Sequence, residues 1–346
     1  MIIKSSIKNY KIEFDTNIHT FLKKNYKKND IIIVDKNLPL SVRKKLKTLR
    51  IIEIIANENV KDFNNLNIII LKILKMKFTK KNKIIAFGGG TIQDTCSFIS
   101  SILFRGVEYY FIPTSLISQC DSCIGGKTSI NFRNYKNIIG NFNPPSKILI
   151  NTKLLESLNK NHYLSGLGEM LHYFCVSSKS DLQYFIKNLH LLLKRNPYVL
   201  KILIKKTLKI KKKFIERDEF DTSHRLILNY GHTFGHALEA YTNYKIEHGI
   251  AVCMGMNISN FISYKLNYLS FENFSLMESI FSKIAFNLSI KKIELKKYIK
   301  ILSQDKKVEG NLSRIILSKA PGKMFVKKIK LDNHFHELLA EYKKKY

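Results

Sequence analysis

Short apolar runs rich in β-branched residues recur through the first 150 residues of the chain and then stop. They occupy residues 31–34, 51–55, 84–87, 109–112 and 148–150, with polar or helical stretches between them. Buried strands of this length that alternate with helices pack as a mostly parallel sheet with helices on its faces. The pattern therefore predicts an α/β domain in the first part of the chain.

After about residue 152 the apolar residues recur at helical spacing instead, over residues 189–215, 250–266 and 271–288. This pattern predicts a mainly α-helical second part. A chain of 346 residues is long enough for about two domains, and the proline pair at 144–145 lies where the two patterns meet. We expect one domain over residues 1–152 and another over residues 153–346.

The chain is strongly basic, with 59 lysines and arginines against 27 acidic residues and a formal net charge of +32. Such a charge raises the prospect of binding nucleic acid or an anionic membrane surface. However, the lysines are spread over nearly the whole chain beside Ile and Asn, as an AT-rich coding sequence produces. The sequence favours compositional bias, and a basic nucleic-acid-binding protein is the alternative that charge alone supports.

The cysteines and the apolar stretches bear on which cellular compartment the protein occupies. Five cysteines, an odd number in a chain of this length, do not form a disulfide framework and fit a reducing environment. Cys120 and Cys123 have CxxC spacing, but a second pair that would complete a zinc site is missing from the sequence. The start has no signal-like apolar region, and lysine interrupts the apolar stretch at 68–76. We expect a cytoplasmic, soluble protein with no membrane partner.

Three consecutive glycines follow a predicted strand, where residues 84–94 read IIAFGGGTIQD. Glycines between a strand and a helix let backbone N–H groups approach a pyrophosphate closely. A tight strand-to-helix turn explains the same glycines without any ligand. The segment is therefore consistent with dinucleotide binding or with a turn alone.

A second glycine-rich segment reads QCDSCIGGKT at residues 119–128, and KNIIG follows at 136–140. Backbone amides, ammonium groups and a side-chain amide in this combination suit a phosphate group. GGKT also ends a P-loop, but that motif needs a glycine where this chain has Cys120. The spacing therefore excludes a P-loop nucleotide hydrolase.

A third segment contains His232 and His236, whose i, i+4 spacing places both on one face of a helix, where they can share a metal ion. Glu169 upstream and His248 downstream are further candidate ligands, although chance pairing among ten histidines is the alternative.

Lys211 and Arg225 flank an acidic stretch in a helical region, and by themselves they indicate solvated helix charge.

Together these segments resemble 3-dehydroquinate synthases in order, spacing and residue type, from the triple glycine to about residue 250. The shared stretches are RGV at 105–107, PTS at 113–115, DS at 121–122, GGKT at 125–128, KN at 136–137, GE at 168–169 and LNYGHTFGH at 228–236. The resemblance implies a Rossmann-like NAD-binding domain, an α-helical metal- and substrate-binding domain, an active site in the cleft between them, and a homodimer.

The resemblance also assigns roles to individual residues. The implied metal ligands are Glu169, His232 and His248, which revises the i, i+4 hypothesis and leaves His236 for the substrate or its protons. The implied NAD-binding residues are Asp35, Glu58, Lys61, Gly89, Gly90, Asp94, Thr114, Ser115, Asp121, Lys127 and Lys136. The implied substrate-phosphate ligands are Arg105, Lys127 and Asn137, with Lys306 or Lys307 as additions. The implied catalytic residues are His236, Lys127, Arg225, Lys211, Asn229 and His172.

The activity implied by the resemblance is that of a carbon-oxygen lyase of the shikimate pathway, which leads to the aromatic amino acids. NAD oxidises a secondary alcohol transiently and acidifies the neighbouring C–H, phosphate leaves, the ketone is reduced again, and an aldol step closes the ring. A divalent metal, zinc or cobalt, polarises the reacting oxygens. Lys211 and Arg225 would face the substrate carboxylate, which reverses their interpretation as solvated charge.

One position departs from the family. Where these enzymes read EVIKYG, residues 169–174 of this chain read EMLHYF, so His172 replaces a lysine expected to face the substrate or the metal-bound oxygens. Imidazole is shorter and mostly neutral near pH 7, which predicts an altered turnover or substrate preference.

Two related enzymes remain as alternatives. A sugar-phosphate cyclase acting on a substrate without a carboxylate is disfavoured by Lys211 and Arg225 and favoured by His172. A metal-dependent polyol dehydrogenase, which would release NADH, is disfavoured by the candidate phosphate ligands.

Overall fold

The structure is a computed structural model that describes residues 1–14, 16–133, 135–285, 290–304, 308–309 and 312–346. It divides into two compact units, Met1–Leu158 and Asn159–Tyr346. The second unit thus begins at Asn159, whereas the sequence pattern predicts a boundary after residue 152. In the described ranges, no helix combines the length and the apolar character that crossing a membrane requires.

The first unit is an α/β unit. Its strands are β1 (Ile2–Ile3), β2 (Tyr10–Phe14), β3 (Ile31–Asp35), β4 (Ile51–Ile54), β5 (Lys83–Gly88), β6 (Glu108–Pro113), β7 (Ile130–Phe132), β8 (Tyr135–Ile139) and β9 (Lys147–Ile150). Its α-helices are α1 (Ile18–Asn25), α2 (Leu40–Lys44), α3 (Phe63–Lys75) and α4 (Gly90–Ile102). Short 3₁₀ turns span Glu58–Lys61, Leu103–Arg105 and Thr152–Leu155, and a π turn spans Ser118–Ser122. The five predicted strands are confirmed as β3, β4, β5, β6 and β9.

Among the described residues these strands form a seven-stranded sheet in the order β1-β2-β9-β6-β5-β3-β4, parallel except where β1 pairs with β2. The chain leaves β3 towards β4 at one edge and leaves β5 in the opposite direction, towards β6. Strand order therefore reverses between β3 and β5. Such a switch point, at the carboxyl ends of the strands, is where open α/β sheets bind ligands.

The core of this unit explains why its central strands read as unbroken apolar runs. Ile32 and Val34 of β3 and Ile85 and Phe87 of β5 are buried in one cluster with Phe21 of α1. Helices cover both faces of a parallel sheet, so side chains on both sides of each strand leave water. Each such side chain contributes about 1.5–3 kcal/mol relative to its exposed state.

The second unit is mainly helical. Its helices are α5 (Lys160–Ser177), α6 (Lys179–Leu193), α7 (Pro197–Arg217), α8 (His232–Tyr241), α9 (His248–Lys265), α10 (Phe271–Ile284), α11 (Leu295–Ser303) and α12 (Asn333–Lys345), with a 3₁₀ turn at His224–Asn229. The predicted helical character is confirmed, but the run at 189–215 is two helices. Asn196 caps α7 by accepting from the Val199 N–H, and Pro197 occupies its first turn.

A small antiparallel sheet in this unit was missed by the sequence pattern. It comprises β10 (Val308–Glu309), β11 (Leu312–Ala320) and β12 (Lys323–Lys330), and the β11–β12 hairpin turns at Gly322, where φ is +79°. Lysines interrupt the apolar alternation of β12, which is exposed at most of its positions. A half-exposed strand in a lysine-rich chain has too weak a period to be recognised.

Candidate functional site

Three side chains from three helices of the second unit converge on one point. Glu169 lies in the middle of α5 and is buried, while His232 and His248 are the first residues of α8 and α9. Glu169 Oε2 lies 3.8 Å from His232 Nε2 and 3.7 Å from His248 Nε2. One ligand atom from each residue falls within 4.8 Å of the others. This group matches the metal ligands implied by the resemblance.

Glycines allow the helices to approach closely enough for this convergence. A Cβ on Gly249 would lie 1.8 Å from the Ser165 carbonyl oxygen, and one on Gly168 would lie 2.1 Å from the Gly249 carbonyl oxygen. Any side chain at either position would push α5 and α9 apart. Because Glu169 and His248 adjoin these two glycines, the close contact between the helices sets the distance between the two ligands.

A backbone carbonyl and a carboxylate orient the two histidines. His232 Nδ1 lies 3.2 Å from the Tyr230 carbonyl oxygen, which can only accept a hydrogen bond. His248 Nδ1 lies 3.1 Å from Glu239 Oε2. Each contact assigns the proton to Nδ1 and leaves the lone pair of Nε2 directed at Glu169, which is the arrangement usual for metal-ligating histidines.

The geometry fits a divalent cation. With bonds of about 2.1 Å, neighbouring donor atoms of a tetrahedral ion lie about 3.4 Å apart. The measured separations of 3.7 and 3.8 Å are only slightly wider. One carboxylate and two imidazoles form a donor set that suits zinc, cobalt and iron.

His236 lies one helical turn beyond His232. Its ring centroid is 5.5 Å from that of His232 and 5.7 Å from that of His248. It forms a second group of potential ligand atoms with Glu239 and His248, distinct from the group that contains Glu169. The i, i+4 hypothesis, with His232 and His236 on one ion, does not match either group of described residues.

His172 lies one turn after Glu169 on α5 and is completely buried. Its Nδ1 is 3.8 Å from Glu169 Oε1, its ring meets that of His232 edge-on at 5.2 Å, and it stacks near Tyr230 at 6.2 Å. The residue that replaces the family lysine therefore contacts the candidate metal ligands directly.

Lys211 on α7 and Arg225 on the adjacent 3₁₀ turn are both buried, with relative exposures of 6% and 5%. Their interpretation as solvated helix charge is therefore wrong. The Arg225 guanidinium donates to the Glu219 carbonyl at 2.6 Å, and the Lys211 ammonium lies 6.0 Å from the Tyr173 ring centroid. The nearby Asn229 side chain donates to the Leu226 carbonyl.

Asp218 organises the loop that carries Arg225. Its carboxylate accepts hydrogen bonds from the backbone N–H groups of Thr222, Ser223 and Arg225 at 2.8–3.0 Å. Burial favours the neutral acid, but these donors outweigh burial and hold the pKa of Asp218 well below its ordinary value. The ionised carboxylate thus fixes the backbone from which the arginine extends.

In the first unit, candidate NAD-binding residues lie at the switch point of the sheet. Asp35 ends β3, and the triple glycine begins at the end of the neighbouring β5. A Cβ on Gly88 would lie 2.3 Å from Ile92 Cγ1, so packing alone requires that glycine. Gly90, in contrast, faces open space. The turn explains the first glycine, whereas the open space at Gly90 fits the approach of a ligand.

A polar network joins several predicted residues of the first unit. The Lys61 ammonium lies 2.8 Å from Asp94 Oδ2 and 2.8 Å from Asn137 Oδ1, and 3.8 Å from Glu58. Asn131 donates to Glu58 at 2.7 Å. Burial raises the pKa of Asp94 to about 6, even though Lys61 favours the carboxylate. The structure thus connects predicted NAD-binding residues with a predicted phosphate ligand.

The other predicted residues of this unit lie on several different elements. The Thr114 N–H donates to the Gly88 carbonyl, and Ser115 Oγ is 3.6 Å from where a Cβ on Gly89 would lie. Asp121 belongs to the π turn, Lys127 precedes β7, and Lys136 lies in β8. Arg105 is exposed at the end of its 3₁₀ turn. Lys306 and Lys307 lie outside the described residues.

Sequence reasoning missed Glu239, Asp218 and the Tyr230 carbonyl. Glu239 had a recognisable signal, because it lies seven residues after His232 and three after His236, on the same face of α8. Asp218 appeared as one acidic residue in a charged stretch. The cysteines of the CxxC segment, Cys120 and Cys123, are buried and form no disulfide.

Comparison with known proteins identifies the family. Residues 51–165 match the model of the 3-dehydroquinate synthase N-terminal domain, and residues 166–308 match that of the 3-dehydroquinate synthase C-terminal domain. The 3-dehydroquinate synthase of Dictyoglomus turgidum is 35% identical over 329 residues, which cover 93% of this chain and 88% of that protein.

Solved structures share the fold over the whole chain. A 2-deoxy-scyllo-inosose synthase complexed with carbaglucose-6-phosphate, NAD⁺ and Co²⁺ superposes with a TM-score of 0.88 at 19% identity and covers 100% of this chain and 99% of its own. The 2-epi-5-epi-valiolone synthase ValA of Streptomyces hygroscopicus, with NAD⁺ and Zn²⁺ bound, has a TM-score of 0.84 at 18% identity, with 97% of each chain covered. At these identities the likeness establishes the fold alone.

Proposed function

Because the chain belongs to the 3-dehydroquinate synthase family, we propose that it converts 3-deoxy-D-arabino-heptulosonate 7-phosphate into 3-dehydroquinate and phosphate, using NAD and a divalent metal ion. The observation that carries the proposal is the convergence of Glu169, His232 and His248, with their ligand atoms within 4.8 Å of one another. The NAD⁺ and the Co²⁺ or Zn²⁺ bound in the two structural neighbours support the same cofactors.

The metal ion would be held by Glu169, His232 and His248, and NAD by the switch-point residues of the first unit. When bound, NAD accepts and returns a hydride, and the ion polarises the oxygens of the reacting alcohol and ketone. The protein contributes the orientation of the ligands. The Tyr230 carbonyl lies beside Nδ1 of His232, which leaves Nε2 of that ring available for the ion that the three ligands would hold.

Lys211 and Arg225 would bind the substrate carboxylate. Both are buried in the second unit, and a buried cation strongly favours an anionic partner. The Asp218 loop holds Arg225 in place through its backbone. A guanidinium and an ammonium together distinguish a sugar-acid phosphate from a neutral sugar phosphate, and they favour this substrate over that of other cyclases.

The substrate phosphate would be bound by Arg105, Lys127 and Asn137. In the structure Asn137 accepts from Lys61, which is also paired with Asp94. The same ammonium thus supports a phosphate ligand and a cofactor-binding carboxylate. Loss of phosphate as a dianion is promoted by cations that stabilise its charge.

His236 is the side chain that we assign to proton transfer. An imidazole titrates near neutrality, and this one lies within 6 Å of two candidate metal ligands, ring centre to ring centre. Asn229 would also contact the substrate.

We further propose a cytoplasmic homodimer that binds neither nucleic acid nor membrane. Analytical ultracentrifugation with and without DNA tests the dimer and the absence of nucleic-acid binding.

A substrate comparison tests the carboxylate assignment. Metal-loaded protein with NAD should release phosphate from 3-deoxy-D-arabino-heptulosonate 7-phosphate much faster than from sedoheptulose 7-phosphate, which lacks the carboxylate. Arg225→Met should raise KM for the heptulosonate phosphate and reduce the preference for it over sedoheptulose 7-phosphate. Turnover of sedoheptulose 7-phosphate alone would replace this proposal with the other cyclase, and net NADH release would replace it with a polyol dehydrogenase.

A further inference from the structure

The Glu239 side chain contacts the imidazole of His248, which is one of the three candidate metal ligands. It lies on α8, and its Oε2 is 3.1 Å from Nδ1 of His248, the first residue of α9. The Glu239 side chain is only 14% exposed and the His248 side chain 36%. An ionised carboxylate at this distance accepts a hydrogen bond from Nδ1–H, which holds the ring in one orientation and one tautomer.

The other end of the same ring points at Glu169. His248 Nε2 lies 3.7 Å from Glu169 Oε2, and an ion bound between them would use the Nε2 lone pair. Proton donation from Nδ1 to a carboxylate also makes the imidazole a stronger electron donor at Nε2. The carboxylate therefore acts on the ligand atom through the ring.

We propose that Glu239 is a positioning residue for the metal, which it serves by holding His248 with Nε2 directed at Glu169, without itself binding the ion. This inference rests on the metal-dependent function proposed above. A carboxylate in this position typically changes metal affinity 10- to 100-fold. Glu239 is thus a determinant of how tightly the chain retains its cofactor.

A second arrangement of the same atoms is the main competing explanation. His236, Glu239 and His248 also place ligand atoms within 4.8 Å of one another and could hold a cation of their own. Both groups use His248. A neutral imidazole that ligates one ion through Nε2 keeps a proton on Nδ1, so it can bind a second ion only after losing that proton. Simultaneous occupation is therefore disfavoured, and one ion per chain is expected.

The test measures metal binding without substrate or NAD. Zn²⁺ dissociation constants are obtained by competition with a chromophoric chelator for the wild type, Glu239→Ala and Glu239→Gln, together with the number of ions bound per chain. Glu239→Ala should bind Zn²⁺ 10- to 100-fold more weakly. Glu239→Gln keeps a hydrogen-bond acceptor without the charge and should fall between the two. The visible spectrum of the Co²⁺-loaded alanine variant should shift, which a merely structural role would not cause.

His162 provides a matched control. Its Nδ1 lies 3.1 Å from Glu247 Oε2, the same separation as in the Glu239 pair, but it belongs to neither candidate metal group. His162→Gln should leave Zn²⁺ affinity unchanged. Wild-type affinity in both Glu239 variants, or two tightly bound ions per wild-type chain, would overturn the proposal. This test does not require turnover, because the effect of Glu239 on Zn²⁺ affinity can be measured whether or not the chain has cyclase activity.

Discussion

Gly249 on α9 lies directly against the backbone of Ser165 on α5, so closely that a Cβ would be 1.8 Å from the carbonyl oxygen. The Gly249 N–H also donates a hydrogen bond to Ser165 Oγ at 2.9 Å. The two helices carry His248 and Glu169, respectively. The contact between a glycine and a serine therefore determines whether two candidate metal ligands can reach one ion.

Gly249→Ala should separate α5 from α9. Overpacking costs about 1–3 kcal/mol of folding free energy. We expect a cost at or above the upper end of this range, because the added Cβ would meet the Ser165 backbone carbonyl, which cannot rotate away as a side chain can. We expect a lower free energy of unfolding together with weaker Zn²⁺ binding, measured by urea denaturation and chelator competition. Wild-type values for both quantities would show that the helices are not held at the separation described.

His172→Ala should weaken metal binding as well as stability. The ring fills a completely buried space between Glu169, His232 and Tyr230, and its removal leaves a cavity that costs about 2–4 kcal/mol. His172→Gln is the matched variant, because its amide retains an N–H donor and much of the volume. If alanine and glutamine variants bind Zn²⁺ as tightly as the wild type, His172 does not orient the ligands.

The stability of the chain should carry a pH dependence due to Asp94. Its ordinary pKa of 3.8 is raised by burial to about 6 in the folded protein, against the opposing charge of Lys61. Between these values the unfolded chain binds fewer protons than the folded one, so stability falls as pH rises from about 4 to about 6. The slope is at most about 1.4 kcal/mol per pH unit. Urea denaturation of Asp94→Asn should lack this contribution, whereas parallel profiles for variant and wild type would refute it.

Asp218→Ala should act on the substrate through Arg225. Three backbone N–H groups lose their acceptor, at a cost of about 1–3 kcal/mol for buried donors. Steady-state kinetics should show a KM for the sugar-acid phosphate about tenfold higher, with a smaller change in kcat. Because the folded pKa of Asp218 is depressed, its stabilisation is present at neutral pH and is lost as pH falls below its ordinary value of 3.8. An unchanged KM would show that the Asp218 loop does not contribute to substrate binding.

Much of the fold could be predicted because burial leaves a strong pattern. β3 and β5 are buried along most of their length, so they read as unbroken apolar runs. β2 reads YKIEF and is half-exposed, and lysines interrupt β12, so neither was recognised. Where one face of a strand meets water in a lysine-rich chain, the local period is too weak to distinguish a strand from a loop.

The site could be predicted only in part, because its geometry depends on tertiary contacts. The i, i+4 histidines were visible on one helix, but Glu169 and His248 join His232 only where α5, α8 and α9 meet. The burial of Lys211 and Arg225 is a property of packing, since nothing local distinguishes them from the many exposed lysines. The spacing of Glu239 from His232 and His236 was visible in the sequence, but its contact with the His248 ring depends on how α8 and α9 pack.

The most direct test is phosphate release from 3-deoxy-D-arabino-heptulosonate 7-phosphate by the purified, metal-loaded chain, with and without NAD, while absorbance at the NADH band is followed. We expect phosphate release that requires NAD, no accumulation of NADH, and loss of release when a chelator removes the ion. Phosphate release that does not depend on NAD, or NADH formed in proportion to substrate consumed, would contradict the proposed cyclase function.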